Sequence, residues 1–418
     1  KLFDDATELS VHDHLFPSAN TGIAWLRDKE LIIKAHQDFL KDNLRVDIFG
    51  IHDGSEIDSP LVAPLRPEVP TLQPGKTYLL DTVIRTLKLG HLFTQGTVDS
   101  NEVWLEVKVT SGDRVIGRSG AIDPDRGNEV DPWSHFVNVF MLDKDGNRID
   151  RRNAEDIFTP LYNHQIPPGA GQTVHYELRI PENVTEPVTV ELKLQYRKFD
   201  QRYMDFVAKK NESLGQIIRG HEPGTDYINR LPVTTIASDS LTFPVEGSEV
   251  TVENAKRNIP EWERWNDYGI GLLLKGKAEL RQAEAAFQQA IDQDVCPLRA
   301  TSSIRRIIRD VAAEHRVEMV DLEAKLRRLC LEQHGHACFG REHFLDHVHP
   351  TIAVHRRIAL WIIDELLRIG WLAGQMPSAS QIEFVEKEVE SRIDLPAQGV
   401  AFRNLAKVLH WAGKFEGA

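Results

Sequence analysis

Cysteine is scarce in this chain, and none of it sits at a short paired spacing. Three cysteines occur in 418 residues, Cys296, Cys330 and Cys338, with no Cys-x-x-Cys and no Cys-x-x-Cys-His. Covalent c-type haem attachment needs such a motif, so these residues exclude a haem of that kind held by this chain alone. No run approaches the roughly 18 apolar residues of a membrane span. Positive charge is in deficit, 50 Lys and Arg against 63 Asp and Glu for a net charge of −13. That balance argues against a general nucleic-acid binder, whose surface would be basic. A starting methionine and a signal peptide are also missing, because the chain begins at Lys1. A mature or truncated N-terminus is the expectation, and the compartment is not read from this feature.

What is present is ordinary for a globular protein: 41% hydrophobic and 27% charged residues, over a length that allows two to four domains. The first 250 residues or so read as strands. Segments 77–87, 102–110, 136–142, 173–180 and 188–196 are rich in β-branched and aromatic residues. Several alternate, as Val103, Leu105, Val107 and Val109 do against Glu102, Glu106 and Lys108. Turn-forming clusters such as Asp143-Lys144-Asp145-Gly146-Asn147 separate them, and Asp145-Gly146 predicts a tight turn. This pattern predicts antiparallel sheets folded as a sandwich, residues 1–255. Segment 24–45 has helical spacing and is expected to pack against one end.

A second regime begins near Ile259-Pro260. Residues 265–294 read as two amphipathic helices, within a hairpin predicted at 256–295. Gly271, Ala283, Phe287 and Ala290 sit where a tetratricopeptide repeat (TPR) places small, small, large and small residues for close helix approach. Asn404 to Leu409, then Ala412 to Ala418, resembles the first helix and turn of another such repeat, within a helical region predicted at 376–418. Because it stops there, a C-terminally truncated chain is expected. Between them, 296–375 reads α-β-α-loop-α: Ile304, Ile307, Ile308 and Val311 on one helix face, a short strand at 317–322, and Ile358, Trp361, Ile362, Leu366 and Leu367 as the buried stripe of a last helix. Alternation of helix and strand predicts a partial α/β layer. The break near Asp294–Cys296, inside what should be a repeat array, suggests a deletion, an assembly error or a fused frame.

Phe344-Leu345-Asp346-His347-Val348-His349-Pro350-Thr351 is the most chemically suggestive stretch. It resembles the last catalytic block of SGNH (GDSL-type) hydrolases, and 296–302 and 320–323 resemble the same C-terminal third. The resemblance implies an esterase acting on acyl or acetyl esters, with His349 as base and Asp346 as the carboxylate that fixes its tautomer. Pro350 stiffens the exit, and Thr351 is expected to cap the next helix. No Gly-Asp-Ser block and no Gly-x-Asn-Asp block lies upstream. Without the nucleophile and the oxyanion donors, no turnover is expected from this chain. Metal alternatives are weaker: His343, His347 and His349, and the set Cys330, His334, His336 and Cys338, have ligand chemistry without a standard spacing. For the cysteine set, ordinary thiols or one disulfide is the simpler reading, and no metal site is expected.

In the first half, His14-Leu15-Phe16-Pro17, Gly90-His91-Leu92-Phe93, Asp150-Arg151-Arg152-Asn153 and Leu161-Tyr162-Asn163 are similar to the region that follows the haem-binding segment in multihaem c-type cytochrome/TPR fusion proteins. The similarity spans most of 1–250. It implies a periplasmic or otherwise extracytoplasmic setting, no cofactor in this chain, and haem c in a full-length parent. There His14 is either a distal haem ligand or part of a solvated acidic turn. His91 reads as a hydrogen-bonded loop histidine. Asp99, Asn101 and Glu102 read first as turn formers and second as calcium ligands. The combined expectation is a mixed fold: an antiparallel β-sandwich, a TPR-like hairpin, a partial SGNH-like α/β segment and a C-terminal TPR-like helix. The function expected is an interaction or scaffold protein of a multihaem electron-transfer system, binding protein partners through its TPR helices, without nucleic acid or a membrane span. The sequence is silent on oligomeric state.

Overall fold

The computed structural model describes residues 17–94, 101–275, 279–345 and 348–392, with 394, 396, 399 and 403. His14, Asp346, His347 and nearly all of the second TPR-like segment lie outside the described residues. The strands are β1 Leu44–His52, β2 Leu61–Val62, β3 Thr77–Thr86, β4 Glu102–Ser111, β5 Arg114–Ser119, β6 Ile122–Asp123, β7 Glu129–Val130, β8 Val139–Leu142, β9 Thr159–Asn163, β10 Gly171–Arg179, β11 Val188–Arg197 and β12 Thr234–Phe243. The helices are α1 Thr21–Leu26, α2 Glu30–Leu40, α3 Gln201–Ser213, α4 Glu261–Lys275, α5 Leu280–Gln293, α6 Ser302–Glu314, α7 Leu322–His334, α8 Ile352–Arg368 and α9 Ala379–Ser391. The fold is mixed, with antiparallel sheets in the first half and helices in the second. The chain divides into two compact units, 1–308 with 328–338, and 309–327 with 339–418.

In the first unit two four-stranded antiparallel sheets, ordered β10-β3-β1-β2 and β12-β11-β4-β5, stay separate and close on one core. The alternation in β4 is the reason its inward face is apolar: Val103, Leu105, Val107 and Val109 are buried, while Lys108 between them is exposed. Each such side chain contributes about 1.5–3 kcal/mol on burial. The predicted turn is present. Gly146 takes a left-handed φ of 83°, and the Asp143 carboxylate receives the Asp145 and Asn147 amides, returning the chain so that Leu142 bridges Arg148.

Two long strands escaped the sequence reading, the inner strand β1 and the edge strand β12. Arg45 and Asp47 make β1 look half-polar, yet both are held by ion pairs on buried or half-buried ground. Arg264 Nε and Arg66 Nη2 lie 2.7 and 3.1 Å from the Asp47 carboxylate, and Arg45 Nη2 lies 2.6 Å from Glu263. In β12, Asp239 receives Arg66 at 2.6 Å and Arg257 at 3.0 Å. Segment 24–45 is two helices, α1 and α2, and its last residues already belong to β1.

The helical hairpin α4–α5 packs on the outer face of the β10-β3-β1 sheet. Tyr268 and Leu272 of α4 and Ala283 and Ala286 of α5 form a cluster with Phe49 and Val83. Phe49 stacks on Tyr268 at 4.3 Å. Arg264 and Asp267 carry the polar part of the joint: Arg264 Nη1 donates to the Leu65 carbonyl at 2.8 Å, and Arg85 Nε to Asp267 at 2.8 Å. The small residues serve this packing. A Cβ on Gly271 would stand 2.2 Å from Thr173 Oγ1 of β10, whereas Gly269 is the glycine that faces Phe287. The close approach expected at Gly271 between two helices is therefore made to a strand.

The later helices are different. Residues 317–321 are irregular, so the short strand expected there is absent; with Val317 at 62% exposure, no neighbour holds it extended. Among the described residues after 295 the only strand-like pairing is an isolated bridge between Phe344 and Pro350. Ile304, Ile307, Ile308 and Val311 do share a face of α6, but all four are exposed. The α8 stripe is only half-buried, and Ile362 in it is exposed. Thr351 caps α8 as expected, accepting from the Val354 amide. No helix among the described residues is long and apolar enough to cross a membrane.

Candidate functional site

The chemically richest open feature is a cleft of about 350 Å³ at one end of the sandwich. Its floor begins with a cross-strand pair: Glu102 at the start of β4 lies directly opposite Arg197 at the end of β11. Arg197 Nε and Nη2 both lie 2.6 Å from Glu102 Oε2, and Arg197 Nη1 donates to the Asn128 carbonyl at 2.9 Å. Only one oxygen of Glu102 is engaged in this way. Burial raises the Glu102 carboxyl to about 7, because the Arg197 charge offsets desolvation only in part and the nearby Asp200 charge adds to it.

The second side comes from the start of α3. Asp200 is its N-cap, accepting from the Tyr203 amide at 2.8 Å, and Arg148 Nη2 donates to its other oxygen at 2.7 Å. Burial pushes Asp200 above the usual carboxylate range even so. Arg148 is also 5.0 Å from the Phe140 ring centre. Val130, Phe136, Phe140 and Leu161 make the apolar wall, with Tyr162 beside them. Tyr162, His164 and His135 stack in series at 4.5 and 4.9 Å. Burial pushes His135 down to about 4, so this imidazole is neutral at ordinary pH. Asn138 also lines the cleft; it is 5% exposed, and its Oδ1 is buried without a hydrogen-bond partner.

A second polar cluster lies under the hairpin and is closed. The buried Asp81 carboxylate receives His175 Nδ1 at 2.5 Å, Tyr268 Oη at 2.6 Å and His52 Nε2 at 2.8 Å. Burial acts to raise Asp81, but the two histidines outweigh it and hold its pKa below the ordinary value. Both histidines are raised, since their bonds to Asp81 exceed the cost of desolvation. With Asp81 fully buried, this cluster joins α4 to the sheet rather than meeting a ligand.

The residues predicted from sequence are placed as follows. His349 is exposed ahead of α8, with its carbonyl accepting the Leu345 amide at 2.8 Å; its partner Asp346 and the distal-ligand candidate His14 lie outside the described residues. His91 is exposed, with Nδ1 2.9 Å from the Leu92 carbonyl, as a loop histidine. Glu102 belongs to a strand and an ion pair instead of a turn, Asn101 beside it is buried, and Asp99 lies outside the described residues. Cys330 and Cys338 are not joined by a disulfide. The cleft residues Arg148, Asp200 and Asn138 were not singled out from sequence, and Tyr162 entered only within the Leu161-Tyr162-Asn163 block. The available signal was Asp200 three residues before Tyr203 at a helix start, together with the Glu102 and Arg197 strand ends.

No family model matches the chain, and no curated protein sequence matches it. Among solved structures it is similar to a penta-haem cytochrome c552 from Thermochromatium tepidum, with a TM-score of 0.28 and 15% identity over 49% of this chain and 41% of that one. It is also similar to Spo0M, a sporulation control protein from Bacillus subtilis (TM-score 0.17, 14% identity, 49% of each chain). A third structure is AvmM, which catalyses macrocyclization in alchivemycin A biosynthesis (TM-score 0.21, 10% identity, 50% of this chain and 94% of that one). The chain spans less than half the length of the first two. Likenesses this slight assign no function, and the TPR reading gains no support from them.

Proposed function

We propose that this chain is a non-enzymatic interaction protein of an electron-transfer system, and that its sandwich, rather than its helical hairpin, carries the binding site. One observation bears most of the weight. The inner face of the α4–α5 hairpin is buried against β1, β3 and β10, whereas the sandwich keeps an open cleft of about 350 Å³ with apolar walls and convergent polar groups. The electron-transfer setting, the extracytoplasmic location and a haem carried elsewhere in a full-length parent rest on the sequence resemblance across 1–250. Titration of the whole chain into a purified multihaem c-type cytochrome, followed by calorimetry, tests the setting. Saturable binding that weakens when Arg148 is replaced by glutamate is expected; no heat at any ratio removes the electron-transfer partner from the proposal.

The esterase reading keeps one favourable feature, an exposed His349 on the loop that Thr351 closes onto α8. Against it, the described residues after 295 form no sheet to present a nucleophile. Hydrolysis of p-nitrophenyl acetate by the chain should equal that of His349→Ala. A rate that depends on His349 would replace the interaction reading with the hydrolase.

A further inference from the structure

We infer that the sandwich cleft takes a small organic ammonium ion, received by Glu102 and Asn138 and enclosed by the aromatic wall. The inference rests on the reading that the sandwich carries the binding site, and it names the ligand class.

The argument is a count of donors against acceptors at the site. Two arginines at the site are held by carboxylates. Arg197 of β11 is held by Glu102 and the Asn128 carbonyl, and Arg148 by Asp200. Arg202 of α3 stands 3.8 Å from Glu129 of β7, which also holds Arg126 at 2.6 Å. The buried amide oxygen of Asn138 has no donor, and Glu102 meets Arg197 through one oxygen only; the buried Arg197 Nη2 beside them lies against that same oxygen. A buried acceptor without a donor costs about 1–3 kcal/mol, so a ligand that supplies N–H groups relieves a standing cost. An anion or a carbonyl would bring no donor to Asn138 Oδ1 and would face the Glu102 carboxylate. The wall of Val130, Phe136, Phe140 and Leu161 then calls for a carbon body next to the charge. That wall already holds one cation against a ring face, the Arg148 guanidinium over Phe140 at 5.0 Å.

Glu102 adds a consequence. Its carboxyl is raised to about 7, so a fraction carries a proton near neutrality. An ammonium ion beside it favours the carboxylate, and that proton leaves to solvent as the ligand binds. The groups that tune it are Arg197 opposite, Asp200 and Arg202 of α3, Arg148 after β8, Glu129 of β7 and the Tyr162 phenol of β9.

Calorimetry on the whole chain tests this with three probes of one shape: phenethylamine, 2-phenylethanol and phenylacetate. At pH 7 phenethylamine should bind at least about tenfold tighter than the alcohol, the worth of one charged hydrogen bond. Phenylacetate should give no saturable heat. Binding heats in phosphate and Tris should differ by the release of part of a proton, and Glu102→Gln should abolish that difference. Because Glu102→Gln disturbs a buried pair, Asn138→Leu is the second variant; it leaves Glu102 with Arg197 and should weaken phenethylamine alone. Equal affinity for the amine and the alcohol would overturn the ammonium inference while keeping the cleft as a binding site. Binding of none of the three to the folded wild-type chain would overturn both.

Discussion

The helices that follow the hairpin carry a larger share of apolar residues than the sandwich with its hairpin, yet they bury fewer of them. In β4 and β11 nearly every inward side chain is fully buried, and even Asp47, Asp81 and Asp239 are buried with their partners. In α6, Ile304, Ile307, Ile308 and Val311 line one face and stay exposed, and Trp371, Phe384 and Val389 further on are exposed as well. Amphipathic periodicity is thus satisfied in both regions as a pattern but converted into burial only in the first. The difference shows that a helical stripe states where a partner would go, and strand pairing supplies the partner within the same segment of chain.

The largest expected effect breaks the joint between hairpin and sheet. Arg264→Ala leaves Asp47 short of one guanidinium in a buried setting, and urea denaturation should show a loss of about 3–5 kcal/mol in the sandwich transition. Next, Leu192→Ala in the fully buried centre of β11 should cost about 2–5 kcal/mol, read from the same transition. A smaller effect, about 1–3 kcal/mol, is expected for His175→Gln, and it carries a pH signature. The folded pKa of His175 is raised above its ordinary 6.5. Its contribution is therefore fully present below that pH and lost as pH rises through the folded value. The stability gap between wild type and His175→Gln should narrow from pH 6 upward; a gap that widens would refute the Asp81 cluster as a proton-linked joint. At the bottom of the scale, Ile307→Ser on exposed ground should lie within about 0.5 kcal/mol of wild type.

Strand position was legible where alternation was clean, as at β3, β4, β10 and β11. It failed at β1 and β12 because Arg45, Asp47 and Asp239 read as solvent-facing until their partners, from residues such as Arg66, Arg257, Glu263 and Arg264, are brought together by the fold. The small residues of α4–α5 correctly signalled close packing, but not its object: Gly271 meets Thr173, and no local pattern tells a strand from a second helix as the neighbour. The expected strand at 317–322 failed for the opposite reason, since β-branched residues form a strand only where another strand pairs with them. The cleft was nearly invisible in sequence. Glu102 and Arg197 become a pair only through the β4–β11 register, and Arg148 reaches Asp200 only because the Asp143–Asn147 turn returns the chain.

Hydrogen exchange on the intact chain tests the central claim, that the sandwich and hairpin form one cooperative body while the later helices gain little from packing. Amides of β4, β11 and α4 should exchange together in the slowest class, with α6 and α8 faster by about a hundredfold or more, the span between global and local opening. Protection of α6 and α8 equal to that of β4 and β11, or α4 exchanging apart from the sheet it covers, would contradict it.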